Sequence, residues 1–306
     1  MNKKEMQKKC PKPLQELTLL DRFLFDTAMA NPEICQNVLS IILNERNISN
    51  VTIGIAEKTL EPFYDSRAVR LDLLAFDDMD TVYDAEAQKE NKGCRSTCRR
   101  SRLYQAYIDV SLLTPGETNF GKLNDIYVIF ICPFDLFGHK KYRYTFRMTC
   151  DEVPGLVMND GATRIFLNTH GTNDDEVSKE LIEFLHYVEN STDDTEEIIS
   201  PRVKQLAKQV DDIKSSQEVG VKYMRMWEEL AEAKKEGKSE GKNEGKKLTK
   251  IEQVRENLGD GCELSQMAHF LKEHLENIEL ISNAICENPE ADDEEILELI
   301  KENWIE

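Results

Sequence analysis

Residues 68–88 read AVRLDLLAFDDMDTVYDAEAQ, and the rest of the chain is organised around this stretch. Val69, Leu71 and Leu73 alternate with Arg70, Asp72 and Leu74, the period of a half-buried strand. After an acidic turn, residues 81–88 place Tyr83, Ala85 and Ala87 on one face and Asp84, Glu86 and Gln88 on the other. A hairpin centred on Met79 pairs symmetrically about that residue. Leu74 then faces Asp84, Asp72 faces Glu86 and Arg70 faces Gln88. Two carboxylates opposite one another, with Cβ atoms about 4.5–5.5 Å apart, destabilise a sheet. The pattern alone leaves two readings. Either the acids share a hard divalent cation, as Mg²⁺ is held by one or two carboxylates with waters and phosphates, or they are solvated on an exposed face or in a different register.

Working outward, residues 17–30 carry Leu20, Phe23, Leu24, Thr27 and Ala28 at helical spacing. Asn31-Pro32-Glu33 then opens a second helix to about Leu43. Residues 51–56 read as a strand, with Glu61-Pro62 and Asp65-Ser66 in the loop before the hairpin. Residues 99–113 are helical in pattern and 126–132 form a short apolar strand. The order is α-β-β-β-α-β, an α/β fold with a mixed sheet, which residues 142–148 and 163–168 extend. In the helix at 99–113, Leu103, Ala106, Tyr107 and Val110 share a stripe expected to face the core, and Arg102 and Gln105 lie off it.

Between the second hairpin strand and this helix, Lys89, Lys92, Arg95, Arg99, Arg100 and Arg102 stand against the single acid Glu90. Lysines and arginines so placed can bind the phosphates of a duplex without reading its sequence, or they form a solvated basic loop. Cys94 and Cys98 lie in this segment as C-x-x-x-C, with no second Cys or His pair at zinc-site spacing.

An aspartate on a strand, a hairpin, and Glu-x-Gln on the next strand resemble the PD-(D/E)XK nuclease core, in the variant of the recombination-promoting nuclease and transposase family. DRFLFDTAMANPEICQNVLSIIL (residues 21–43) is similar to that family's opening helices. RSRLYQAYIDVSLL (100–113), YVIFICPFDLFG (127–138) and DGATRIFLN (160–168) follow in its order. The resemblance implies a restriction-endonuclease-like core and a Mg²⁺-dependent DNA endonuclease, with Mn²⁺ as a substitute ion, in a bacterial mobile-element setting. It implies Asp72 and Glu86 as metal ligands, the Ala87 carbonyl as a third, and Gln88 as the residue positioning water or phosphate. Asp21 on the opening helix and Gln105 on the later one become accessory residues. Where the wider superfamily has lysine two residues after the glutamate, this chain has Gln88. Glutamine can orient a water but cannot take its proton. The competing expectation is a degenerate relative that binds DNA or a protein through the 89–102 patch and the C-terminal helices without cutting.

A formal net charge of −19 over 306 residues argues against a protein that coats nucleic acid non-specifically, so DNA contact is expected from the local patch. Eight scattered cysteines and a start unlike a signal peptide predict reduced thiols in the cytoplasm. The apolar runs are far shorter than the ~20 residues of a membrane helix. Residues 1–16 are expected to form a disordered tail and 17–170 the nuclease-like core. Residues 171–235 should be a helical extension: a helix capped by Asn173-Asp174-Asp175-Glu176 and running to about Glu189, an acidic loop at 190–197, then a helix at 201–233. That last helix carries the stripes Val203, Leu206, Val210, Ile213 and Val221, Met224, Trp227, Leu230. Residues 236–247, EGKSEGKNEGKK, place a glycine every fourth residue, each costing a helix about 1 kcal/mol, and are expected to be a hinge. An acidic helical appendage follows at 248–306, where Met267, Phe270, Leu271 and Leu275 should pack or pair. Pairing of two chains is left open.

Overall fold

The computed structural model describes residues 12–44, 46–56, 59–60, 69–113, 116–191 and 198–305. Two compact units divide the chain, Met1–Tyr223 and Met224–Glu306. The first opens with helices α1, Arg22–Met29, and α2, Pro32–Ile42. Asn31 starts α2 by accepting from the N–H groups of Glu33 and Ile34 at 2.9 and 3.4 Å, with Pro32 in the first turn. Five strands follow: β1 (Thr52–Ala56), β2 (Thr59–Leu60), β3 (Val69–Arg70), β4 (Leu73–Phe76) and β5 (Val82–Ala87). Helix α3, Cys94–Leu112, leads to β6, Ile126–Cys132, then β7, Arg143–Phe146, and β8, Ala162–Asn168.

Six of these strands form one mixed sheet in the order β1-β4-β5-β6-β8-β7. β4 and β5 are antiparallel with Leu74 opposite Asp84, which is the register symmetric about Met79. β5, β6 and β8 run parallel, so Asp84, Val128 and Arg164 stand in one row and Glu86, Phe130 and Phe166 in the next. Residues directly paired share a face. That face is covered by α3, with Ile108 buried against Leu74, Val128, Phe130 and Phe166. The opposite face carries Tyr83 and Tyr127, stacked at 5.6 Å, with the guanidinium of Arg46 5.3 Å from the Tyr127 ring centre.

The strand expected over 68–76 is broken. β3 pairs only with β2 among the described residues, and the sheet strand begins at Leu73. The backbone N–H of Asp72 donates to Glu86 Oε1 at 2.9 Å, so a side chain takes the donor that a ladder would use. Helix α3 begins at Cys94, five residues before the expected start, after Gly93 turns the chain at φ +84°. Its buried side is only in part the one expected, since Tyr107 packs against the core. Thr97, Ser101 and Ile108 are buried, whereas Leu103 and Val110 are 41% and 47% exposed. The sheet face beneath carries Asp84, Glu86 and Arg164, and a helix packed on charges must turn polar groups inward.

α4, Lys179–Glu189, is capped by Ser178, while Asp174–Glu176 form only a 3₁₀ turn. The segment expected to be helical over 201–233 breaks at Ser216 into α5, Pro201–Ser215, and α6, Gln217–Gly259. Val203, Leu206 and Val210 are buried, and Val221, Met224 and Leu230 are exposed. Residues 236–247, expected to be a hinge, are helical throughout within α6. Extending an existing helix avoids the cost of nucleation, which offsets the glycine penalty. Most of the expected tail, the loop at 61–68 and the acidic residues 192–197 lie outside the described residues.

In the second unit, α7 (Leu264–Leu271), α8 (Leu275–Glu287) and α9 (Asp293–Ile300) share a core with α6 that includes Ile251, Val254, Met267, Ile278, Ile281 and Ile296. Phe270, expected to pack, is exposed. A capping box between Asp292 and Glu295 starts α9, and Arg255 of α6 bonds Asp293 and the Ala291 carbonyl at 2.9 Å each. Among the described residues no helix is long and apolar enough to cross a membrane.

Candidate active site

The alternation along β5 sends Asp84 and Glu86 to the face under α3, and Gln88 continues the strand by donating its N–H to the Ile131 carbonyl at 2.9 Å. Asp72 arrives from the break before β4. All four are buried: Asp84 fully, the others with at most 6% of their surface exposed. Three carboxylates therefore sit where water scarcely reaches.

Two guanidinium groups meet them. Arg22, the first residue of α1, places Nη2 2.8 Å from Asp72 Oδ1. Arg100 of α3 lies with Nη2 3.8 Å from Glu86 Oε2, its guanidinium 4.8 Å from the Phe130 ring centre and 5.4 Å from that of Tyr104. Asp84 has neither. Both of its carboxylate oxygens are buried without a hydrogen-bond partner among the described residues. Burial, then repulsion from Asp72, pushes the Asp84 carboxyl well above the usual carboxylate range, against the opposing pull of Arg100. Burial and the charges of Asp84 and Asp72 do the same to Glu86, although the Asp72 N–H and Arg100 favour its ionised form. The Tyr104 hydroxyl is pushed up to about 12 by burial and then by Glu86.

The residues singled out in sequence are dispersed around this cluster. Asp21 is the residue preceding α1 rather than part of it, accepts from the Thr18 N–H at 2.9 Å, and is ion-paired with Lys89 and Lys12. Its carboxylate therefore holds Lys89 and Lys12. Lys92 pairs with Glu90 at 3.7 Å. Arg95, Arg99 and Arg102 are exposed on the first turns of α3, but Arg100, grouped with them in sequence, turns inward to the carboxylates. The helical repeat carries it a full side away from Arg102. Gln105 accepts from Arg164 and faces Asp109 at 3.5 Å. Gln88 donates its side-chain amide to the Glu90 carbonyl. The thiols of Cys94 and Cys98 are 3.8 Å apart. Asp84 and Arg22 went unnoticed in sequence. For Asp84 the signal was present, since it lies two residues before Glu86 on the same strand face.

A family model of PD-(D/E)XK nuclease family transposases matches residues 22–240. The chain belongs to this family. No curated protein and no solved structure matches it.

Nucleases of this family typically use divalent metals, and the donor set fits such an ion. The three acids offer only hard oxygen ligands, and both Asp84 oxygens are buried without a hydrogen-bond partner among the described residues. Among the described residues, however, no three acidic, histidine or cysteine side chains are already grouped as a metal cage. The guanidinium of Arg22 stands on Asp72 instead.

Proposed function

We propose that this protein is a DNA endonuclease that hydrolyses phosphodiester bonds with a divalent cation, Mg²⁺ or in its place Mn²⁺. Its sheet and α3 would be the restriction-endonuclease-like core. The observation that carries the reading is the buried cluster of Asp72, Asp84 and Glu86, in which both Asp84 oxygens have no hydrogen-bond partner among the described residues. Asp72 and Glu86 would hold the cation, with the Ala87 carbonyl at the end of the same strand as a further ligand. Bound there, the cation supplies Lewis-acid stabilisation of the charge that develops on the phosphoryl oxygens.

The chain's own residues do the rest. Gln88 orients the attacking water or a phosphate oxygen through its amide, and it cannot serve as the base. Arg100, fixed between two rings, keeps positive potential at Glu86. Arg95, Arg99 and Arg102, with Lys89 and Lys92 before them, bind flanking phosphates and set the duplex in place. Arg100 leaves that group, and Asp21 and Gln105 act by holding Lys89 and Arg164 rather than at the reacting atoms.

A second reading, a relative that binds without cutting, draws on the net charge of −19 and on the Arg22–Asp72 ion pair. Nicking of supercoiled plasmid by the purified chain in Mg²⁺, Mn²⁺ or EDTA, beside Asp72→Ala and Glu86→Ala, separates the two. Metal-dependent nicking that disappears in both folded variants supports the nuclease. Undiminished nicking by either variant refutes the site, and no nicking by wild type in any metal favours the binding reading.

A further inference from the structure

The two arginines at the carboxylates are held in different ways. Arg100 is wedged against the faces of Phe130 and Tyr104, with 28% of its side chain exposed. Arg22 is 50% exposed, and it reaches the cluster from the first residue of a helix through ion pairs, 2.8 Å to Asp72 Oδ1 and 3.5 Å to Asp26 Oδ2. Asp26 lies one turn along the same helix, so that contact travels with Arg22, whereas Asp72 belongs to the sheet. One guanidinium is packed against aromatic rings, and the other is half-exposed and paired with carboxylates.

We propose that Arg22 is an exchangeable counter-ion: it neutralises Asp72 in the metal-free protein and passes to an oxygen of the DNA phosphate when Asp72 takes up a divalent cation. This rests on the reading of the site given above. A guanidinium nitrogen 2.8 Å from Oδ1 stands in the approach that an ion bound at about 2.0–2.1 Å would use, and the two positive charges repel. Asp72 cannot serve both fully. A displaced arginine at the mouth of the cluster is suited to phosphate, because its planar fork binds two oxygens at once. Asp26 keeps the arm tethered while it moves.

The consequence is coupling between the two ligands. Without DNA, Asp72 must give up its ion pair with Arg22 to take the cation and no phosphate receives the guanidinium, so cation affinity is held down. With DNA present, the phosphate receives Arg22, and each ligand strengthens the binding of the other by the same factor. The chain thereby assembles its metal site chiefly on substrate.

The test uses the full-length chain and two binding readouts. Mg²⁺ affinity without DNA is measured by calorimetry, and affinity for a fluorescein-labelled duplex is measured by anisotropy in Ca²⁺, with duplex length checked afterwards. Arg22→Met keeps the aliphatic stem and removes the charge. It is expected to bind Mg²⁺ roughly 2–5-fold more tightly than wild type, the worth of releasing a half-exposed ion pair, and to bind duplex more weakly in Ca²⁺. Arg22→Lys, which keeps the charge and loses the fork, should fall between the two in both readouts. Arg95→Met should weaken duplex binding with Mg²⁺ affinity unchanged.

Equal or weaker Mg²⁺ binding by both Arg22 variants, while Asp72→Ala abolishes it, would overturn the exchange and leave the metal site standing. Wild type that binds no Mg²⁺, or Asp72→Ala that binds it as well as wild type, would overturn the site and the exchange together. Tighter Mg²⁺ binding with undiminished duplex binding would also overturn it, since Arg22 would then be a plug that never meets phosphate.

Discussion

Replacing Asp84 with Asn should stabilise the metal-free protein. The carboxylate is fully buried, both oxygens lack a hydrogen-bond partner among the described residues, and burial with the charge of Asp72 outweighs the pull of Arg100 on it. A buried polar group left unsatisfied costs about 1–3 kcal/mol, and more when it is charged. Whether the fold keeps Asp84 ionised without solvent or forces it to take up a proton, the group is held at a cost that the isosteric amide escapes. The amide also brings two donors towards Glu86 and Asp72. A gain of about 1–3 kcal/mol is expected, equivalent to roughly 2–10 °C in Tm for a unit of this size. The assay must report on the first unit. Trp227 and Trp304, the two tryptophans of the chain, both lie in Met224–Glu306, so indole fluorescence is blind to the change. Calorimetric scans in EDTA, with hydrogen exchange of the β5 amides, follow the correct transition. The same variant should lose much of any Mg²⁺-dependent rise in Tm seen in wild type. A lower Tm for Asp84→Asn in EDTA would refute the reasoning, because it would mean that the carboxylate supports the fold rather than waiting for a ligand.

Asp77 is the opposite case, a carboxylate that holds the hairpin: it accepts from the N–H groups of Met79 and Thr81 at 2.9 Å each and from the Tyr83 hydroxyl at 2.7 Å. Burial alone would raise its carboxyl, but these bonds and Arg46 outweigh it and hold it below the usual range. Its contribution is therefore complete above the unfolded value of about 3.9 and is lost as pH falls through the depressed folded value. Asp77→Asn should cost about 1–3 kcal/mol at neutral pH by urea unfolding, with the gap to wild type closing below about pH 4. On α3, Ile108→Ala should cost about 2–5 kcal/mol and Leu103→Ala under about 0.5 kcal/mol, by the same measurement; the reverse order would restore the stripe read from sequence. A Cβ at Gly241 meets nothing within 4 Å, so Gly241→Ala should stabilise the local helix by about 1 kcal/mol and slow exchange of nearby amides roughly fivefold. Unchanged exchange would indicate that α6 is not helical there.

The hairpin was legible because its two strands alternate cleanly and its turn is symmetric about one residue, so a single register satisfies both faces. Leu74 opposite Asp84 follows from that alone. The interruption before Leu73 was not legible, because it depends on a side chain fourteen residues away taking the Asp72 backbone donor. The helix through 236–247 was hidden for a related reason. Propensity is local, whereas the twelve residues are carried by the helix on either side of them.

The misreading of α3 is the most informative. Periodicity assigns the apolar side of a helix to the core, and on that rule Leu103, Ala106 and Val110 should face inward. Those three do not, although Tyr107 of the same stripe packs on the core: among its apolar residues the sheet face opposite also presents Asp84, Glu86 and Arg164 from adjacent strands. Against that face the helix turns Thr97, Ser101, Arg100 and Gln105 together with Ile108, and Leu103, Ala106 and Val110 are left outside. A helix that contradicts its own hydrophobic pattern must be compensated by something on the face it covers. The contradiction falls on the same carboxylates that β5 and the β4 break bring together, so the failure of patterning on α3 and the strain of like charges on β5 have one cause. Those buried carboxylates, rather than the Glu-x-Gln motif alone, are the physical ground for the site proposed between β5 and α3.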